Sequence, residues 1–150
     1  MELLDVYNDG GKKTGKVVER GIPDSSFKPG EHIAVAIIYI ENDNNEFLIQ
    51  KTSKQKGGIY SSTGGHVNHN EEPIDTIKRE VKEEIGLDIS NEKLVDLGFF
   101  IHGSPLRFVF FLEKDVEIAQ LQLQIAEVEI VQFMTETQIN QLIEEGNITR

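Results

Sequence analysis

The chain has 150 residues, is 38% apolar and carries 13 glycines and no cysteine. That suits one ordinary domain, is too apolar for a disordered chain, and excludes disulfides, thiolate metal sites and cysteine nucleophiles. Its 26 acidic against 15 basic residues give a net charge of −11, which argues against a surface for nucleic-acid polymers and leaves an anionic substrate dependent on local cations, either placed side chains or divalent metal.

In chain order, Leu3 to Tyr7 reads as a strand, Asn8-Asp-Gly-Gly11 as a turn and Lys16 to Glu19 as a second strand, together a hairpin. After a loop holding Pro23 and Pro29, His32 to Glu41 is an apolar, β-branched run suited to a strand buried on both faces. Its apolar part, Ile33 to Ile40, is too short to cross a membrane, and the start Met1-Glu-Leu-Leu-Asp5 is unlike a signal peptide, so a cytoplasmic location is expected. Asp43-Asn-Asn45 turns the chain into a strand from Glu46 to Lys51. The acidic stretch Glu41 to Glu46 lacks the sixth-position Gly and distal Glu of a calcium loop, which favours a hairpin turn. Gly57-Gly58 and Gly64-Gly65 bracket Ile59 to Thr63, where the backbone needs unusual dihedrals or close approach. A helix is predicted from Pro73 to Ile85, stopped by Gly86, then strands at Leu94 to Ile101, Arg107 to Glu113 and Val128 to Met134, and an amphipathic helix at Glu136 to Glu144. The expected class is α/β (α+β), a mixed sheet between helices in a single domain spanning 1–150.

The first helix carries the chemistry. With Glu80 as origin and a step of about 100° per residue, Glu83 falls near −60° and Glu84 near +40°. Ile77, Val81, Ile74 and Ile85 occupy about +60° to +140°, directly beside the carboxylates. Like charges at these spacings repel, more so as solvent is withdrawn. Arg79 can pair with Glu83 but cannot compensate all three carboxylates; a hard divalent cation can. On the helix pattern alone, a solvated Glu/Lys face is the more ordinary reading; the glycine-rich approach and the spacing of the whole segment overturn it.

The whole segment is Gly65-x5-Glu71-x7-Arg79-Glu80-Val81-x-Glu83-Glu84-x-Gly86-Leu87. It resembles the Nudix box at every defined position over 23 residues. The resemblance implies the Nudix fold and a loop-helix-loop that binds divalent metal. It makes Glu80 and Glu84 the principal ligands, Glu83 a third ligand or the base that deprotonates water, and the Gly65 carbonyl a further ligand. Glu71 and Arg79 then hold and aim the ligands. Glu127, with Glu129 close behind, is the candidate for a completing carboxylate or alternative base; an exposed strand charge is an equal reading of either. Lys51 is a candidate phosphate contact, a strand-end lysine in water being at least as good a reading, and His66 is a loop residue able to touch substrate, as is His69.

Further similarity, in Asp5-x-Tyr7, Thr14-Gly15, Arg20-Gly21, His32, Leu48-Ile-Gln-Lys51 and Gly64-Gly-His-Val67, is to the Nudix subgroup related to isopentenyl-diphosphate isomerase. Three positions depart from the pattern: Asn70 stands where Gly is usual, Tyr60 where Trp is common and Lys51-Thr52 where Lys-Arg is usual. The implied function is a pyrophosphatase-type hydrolase that uses magnesium or manganese on a nucleoside diphosphate linked to another moiety, as monomer or homodimer. The alternatives are an isomerase of isopentenyl diphosphate, disfavoured because the thiol it uses is absent, and a catalytically silent nucleotide-binding module.

Overall fold

The computed structural model describes residues 2–149. Strands β1 (Leu3–Tyr7) and β2 (Lys13–Glu19) form the expected hairpin as a separate two-stranded antiparallel sheet. The main sheet is mixed. Its centre is β3 (Ala34–Glu41), paired in parallel along its whole length with β8 (Leu106–Glu113). On its other side β3 meets β6 (Thr63–His66) and, at its far tip, β4 (Glu46–Thr52), both antiparallel. β4 pairs with β5 (Tyr60–Ser61) and β9 (Val128–Thr135), β5 with β10 (Ile148–Thr149), and β7 (Val95–Ile101) forms the edge beyond β8.

The apolar run of β3 is buried on both faces, as its composition predicts. Ala36, Ile38 and Ile40 face the core under helix α1 (Pro73–Ile85), while Ile37 is equally buried on the other side. Ile77, Val81 and Ile85 of α1 are fully buried against this core, each contributing about 1.5–3 kcal/mol through removal from water. Helix α2 (Glu136–Glu145) starts with a capping box between Thr135 and Gln138 and lies against β9 and β10, with no fully buried residue of its own.

Several boundaries differ from the sequence reading. His32 precedes β3 because its backbone is engaged with Tyr7, whose N–H donates to the His32 carbonyl at 2.7 Å. The Ile59 to Thr63 segment is divided between β5 and β6, and β10 was not foreseen. Ile74, placed on the core face by its angle, is 38% exposed because it sits in the first turn, at a shallow recess with Leu94 and Phe108. The Asn42 side chain accepts from the Asn44 and Glu46 amides and Asn45 has φ +58°, so the acidic stretch is a hairpin turn.

Candidate active site

Helix α1 presents its three carboxylates in a gradient of burial that follows their angle from the core. Glu84, nearest the apolar stripe, is 7% exposed; the Glu80 side chain is 17% exposed and that of Glu83, furthest round, 54%. A charge as buried as Glu84 needs polar company. Gln50, itself buried on β4, extends its amide toward Glu84 Oε2 at 3.4 Å and accepts from the Thr63 hydroxyl at 2.9 Å.

Arg79 holds the loop before the helix to the helix itself. Its Nε and Nη2 donate to the two oxygens of Glu71 at 2.7 and 3.0 Å, a bidentate fork. Its Nη1 donates to Glu80 Oε1 at 2.8 Å and Glu83 Oε2 at 3.3 Å, and Nη2 reaches the His66 carbonyl at 3.4 Å. Glu71 also accepts from the Thr76 hydroxyl and the Asn68 amide. Burial alone raises the Glu71 carboxyl; the hydrogen bonds from Arg79, Thr76 and Asn68 more than reverse this and leave it below the usual range. The bond to Glu71, with Glu80 nearby, holds Arg79 firmly protonated.

Glycine at 65 makes room for the Glu80 carboxylate. A Cβ there would lie 2.5 Å from both Glu80 Cδ and Oε1, so the carboxylate packs directly on the backbone of β6. Asn70 adopts φ +67°, the left-handed region where Asn is the best substitute for Gly, which explains the departure from the usual residue. The loop is also tied to the hairpin: Asp5 accepts from the Asn70 amide at 3.0 Å and pairs with His69 Nδ1 at 2.8 Å. Burial opposes ionisation of Asp5, but the bonds from His69, Asn70 and Lys13 hold its pKa low.

Gly65, His66, Arg79, Glu80, Glu83, Glu84 and Glu127 line one polar cavity of about 310 Å3. Glu127 stands there with Lys56 at 3.5 Å, whereas Glu129 pairs with Lys51 at 3.7 Å. Lys51 does not join the cavity. Successive strand residues point to opposite faces, so with Gln50 turned toward Glu84, Lys51 is turned away and lies over the Tyr60 ring. His69 is engaged with Asp5, and Arg107 lies over Phe100 and donates to the His102 carbonyl. Sequence reasoning missed Gln50 and the lining residues Glu2, Arg20, Lys56 and Gln124.

The donor set suits a hard divalent cation: carboxylates on one helix edge beside a backbone that no side chain screens. As placed, among the described residues no three acidic or imidazole groups converge on one point. Arg79 holds Glu80 and Glu83, and Glu84 leans toward Gln50.

Comparison with known proteins agrees with this geometry. The NUDIX domain family model matches residues 30–149. An uncharacterised Nudix hydrolase of Listeria innocua is 34% identical over 152 residues, covering 97% of this chain and 87% of the relative. An 8-oxo-dGTP diphosphatase of Proteus vulgaris is 36% identical over 85 residues, 54% of this chain and 73% of that protein. Among solved structures, DR0079 of Deinococcus radiodurans superimposes with a TM-score of 0.79 at 20% identity, covering 97% of this chain and 91% of its own. The narrower likeness to isopentenyl-diphosphate isomerase finds no support in these relatives. No helix among the described residues is long and apolar enough to cross a membrane. With the complete box folded as one loop-helix-loop and the match running over most of its length, the chain belongs to the Nudix hydrolase family.

Proposed function

We propose that this chain is a cytoplasmic hydrolase of a diphosphate linkage in a nucleoside diphosphate joined to another moiety, and that it works with magnesium or manganese. The observation that carries this reading is that Glu80, Glu83, Glu84 and Gly65 line one polar cavity. In this proposal Glu80, Glu84, Glu83 and the Gly65 carbonyl hold the cation, which supplies charge neutralisation and a more acidic water. Glu83 and Glu127 are the two candidates for accepting the proton of the attacking water, both reaching the cavity while keeping contact with solvent. Glu71 acts through Arg79 as a positioning residue, keeping the guanidinium against the loop and the helix at once. His66, on the cavity wall, is the candidate residue for touching substrate. The absence of any cysteine leaves no thiol for the isomerase chemistry that the subgroup resemblance suggested.

The test is release of phosphate, diphosphate or nucleoside monophosphate from a panel of nucleoside triphosphates, 8-oxo-dGTP and nucleotide sugars, with magnesium, with manganese and with excess chelator. Metal-dependent cleavage of at least one compound is expected. Full turnover in chelator would refute the metal assignment, and no cleavage of any compound with either metal would refute the substrate class.

A further inference from the structure

We propose that Arg20, at the end of the N-terminal hairpin, is a phosphate-binding residue of the substrate site, and that Glu2 occupies its guanidinium until a substrate phosphate displaces it. This deepens the hydrolase reading above and rests on it. Arg20 follows β2 directly and lines the same cavity as Gly65, Glu80 and Glu84, although it lies before residue 30, where the family match begins. Its backbone amide donates to the Glu2 carbonyl at 3.0 Å and its Nη1 to Glu2 Oε2 at 2.7 Å. Both side chains are half exposed, at 51% and 55%, so this pair can part at little cost.

The other cations of the cavity are differently committed. Arg79 is spread over Glu71, Glu80 and Glu83, and Lys56 lies against Glu127. The walls carry five carboxylates against three cations. A divalent ion among the helix carboxylates would offset that excess but leave the substrate's own charge to be met. Arginine's planar fork matches two phosphate oxygens at once, which a lysine ammonium does not. The hydrogen bond from Arg20, against the opposing effect of burial, holds Glu2 below the usual carboxylate range, and the charges of His66 and Arg79 add to this.

The hairpin is fixed to the catalytic loop, so Arg20 is carried by the fold. The His69 amide donates to the Leu3 carbonyl at 2.8 Å, Asp5 holds Asn70 and His69, and Lys13 Nζ donates to the Glu71 carbonyl at 3.2 Å.

The test uses the full chain with magnesium, the best substrate of the panel, and calorimetric binding of methylenediphosphonate, a diphosphate that cannot be hydrolysed. Arg20→Ala is expected to raise KM and the diphosphonate Kd at least about tenfold, with kcat changed by less than about threefold; Arg20→Lys should fall between. Glu2→Gln should move both constants the other way, tightening them about two- to fivefold, because the competing carboxylate is gone. That opposite sign separates a phosphate site from a structural clasp, which either variant would weaken alike. The proposal is overturned if an active wild type loses nothing in Arg20→Ala, if Glu2→Gln weakens binding as Arg20→Ala does, or if the wild type does not bind the diphosphonate. An inactive wild type whose diphosphonate binding still depends on Arg20 would instead refute the hydrolase reading and leave this site standing.

Discussion

Replacing Gly65 by Ala tests whether the close packing of Glu80 on the backbone serves the chemistry. The added Cβ would meet Glu80 Cδ and Oε1 at 2.5 Å and Cγ at 2.9 Å, where ordinary contact begins at 3.4 Å. The backbone has little room to yield, because Gly65 is paired with Ala36 in the sheet and a Cβ on the adjacent Gly64 would strike the Ala36 carbonyl. Glu80 must therefore move outward. A shift of about 0.9 Å is on the scale at which misplacement costs about a hundredfold in rate, or about 2.7 kcal/mol in the barrier. The cost to folding is smaller, about 1 kcal/mol, since one partly solvated bond from Arg79 is weakened while its fork on Glu71 stays. Gly64→Ala makes the contrast: its Cβ meets main chain, with Ile37 Cα also at 3.0 Å, so stability should suffer there first. Turnover on the best substrate and urea unfolding of both variants decide the matter. Gly65→Ala with kcat within threefold of wild type, or as unstable as Gly64→Ala, would refute the reasoning.

Glu84→Gln should lower kcat at least about a hundredfold, on the scale of an essential electrostatic element, with near-normal urea unfolding because the amide can still meet Gln50; near-normal turnover would make the box vestigial. Glu71→Gln should destabilise the chain by about 2 kcal/mol at neutral pH, as loss of one partner of a largely buried pair. The Glu71 carboxyl is held below its ordinary value, so its contribution is present above the unfolded-state pKa and is lost as pH falls through the folded one. The stability gap between wild type and Glu71→Gln should therefore narrow steadily as pH falls below the ordinary Glu value of about 4.3, and a gap constant across urea titrations from neutral pH into that acid range would contradict it. Asn70→Ala should cost about 1 kcal/mol for its left-handed backbone, and Asn70→Gly should stay within about 0.5 kcal/mol of wild type; equal losses in thermal or urea unfolding would show that the side chain matters more than φ.

What the sequence made legible is what periodicity and sterics control. The angular order of Ile77, Glu84, Glu80 and Glu83 around the helix became their order of burial, and the glycine beside the box marked a close approach. That Lys51 lies outside the cavity lining is not legible locally, because Leu48 and Ile49 are both buried, and an apolar run on both faces gives no sign of which way Gln50 and Lys51 point. A second ambiguity concerned Glu127 and Glu129. Glu127 precedes β9 and enters the cavity, while Glu129, on the strand, pairs with Lys51. Arg20 comes from a segment distant in sequence from the box and Lys56 from a turn shortly before it, and their approach to the cavity depends on tertiary contacts that no local pattern encodes.

The network around Arg79 offsets two of the three helix carboxylates, Glu80 and Glu83, while tying the helix to the loop before it. Two of its nitrogens, Nε and Nη2, are committed to Glu71 at 2.7 and 3.0 Å, and they hold loop and helix in register. Only Nη1 turns to Glu80 and Glu83, and its contact to Glu83 is the longer one, at 3.3 Å and half exposed. Glu80 and Glu83 can therefore release Nη1 to face another cation while the fork on Glu71 remains closed. Exchange of the charge partner then requires side-chain rotation at Glu80 and Glu83, not movement of the loop. Glu84 meets the neutral amide of Gln50, and Gln50 is itself oriented by Thr63 from the strand that carries Gly65. The helix carboxylates are thus oriented from both sides, by Glu71 through Arg79 and by Thr63 through Gln50.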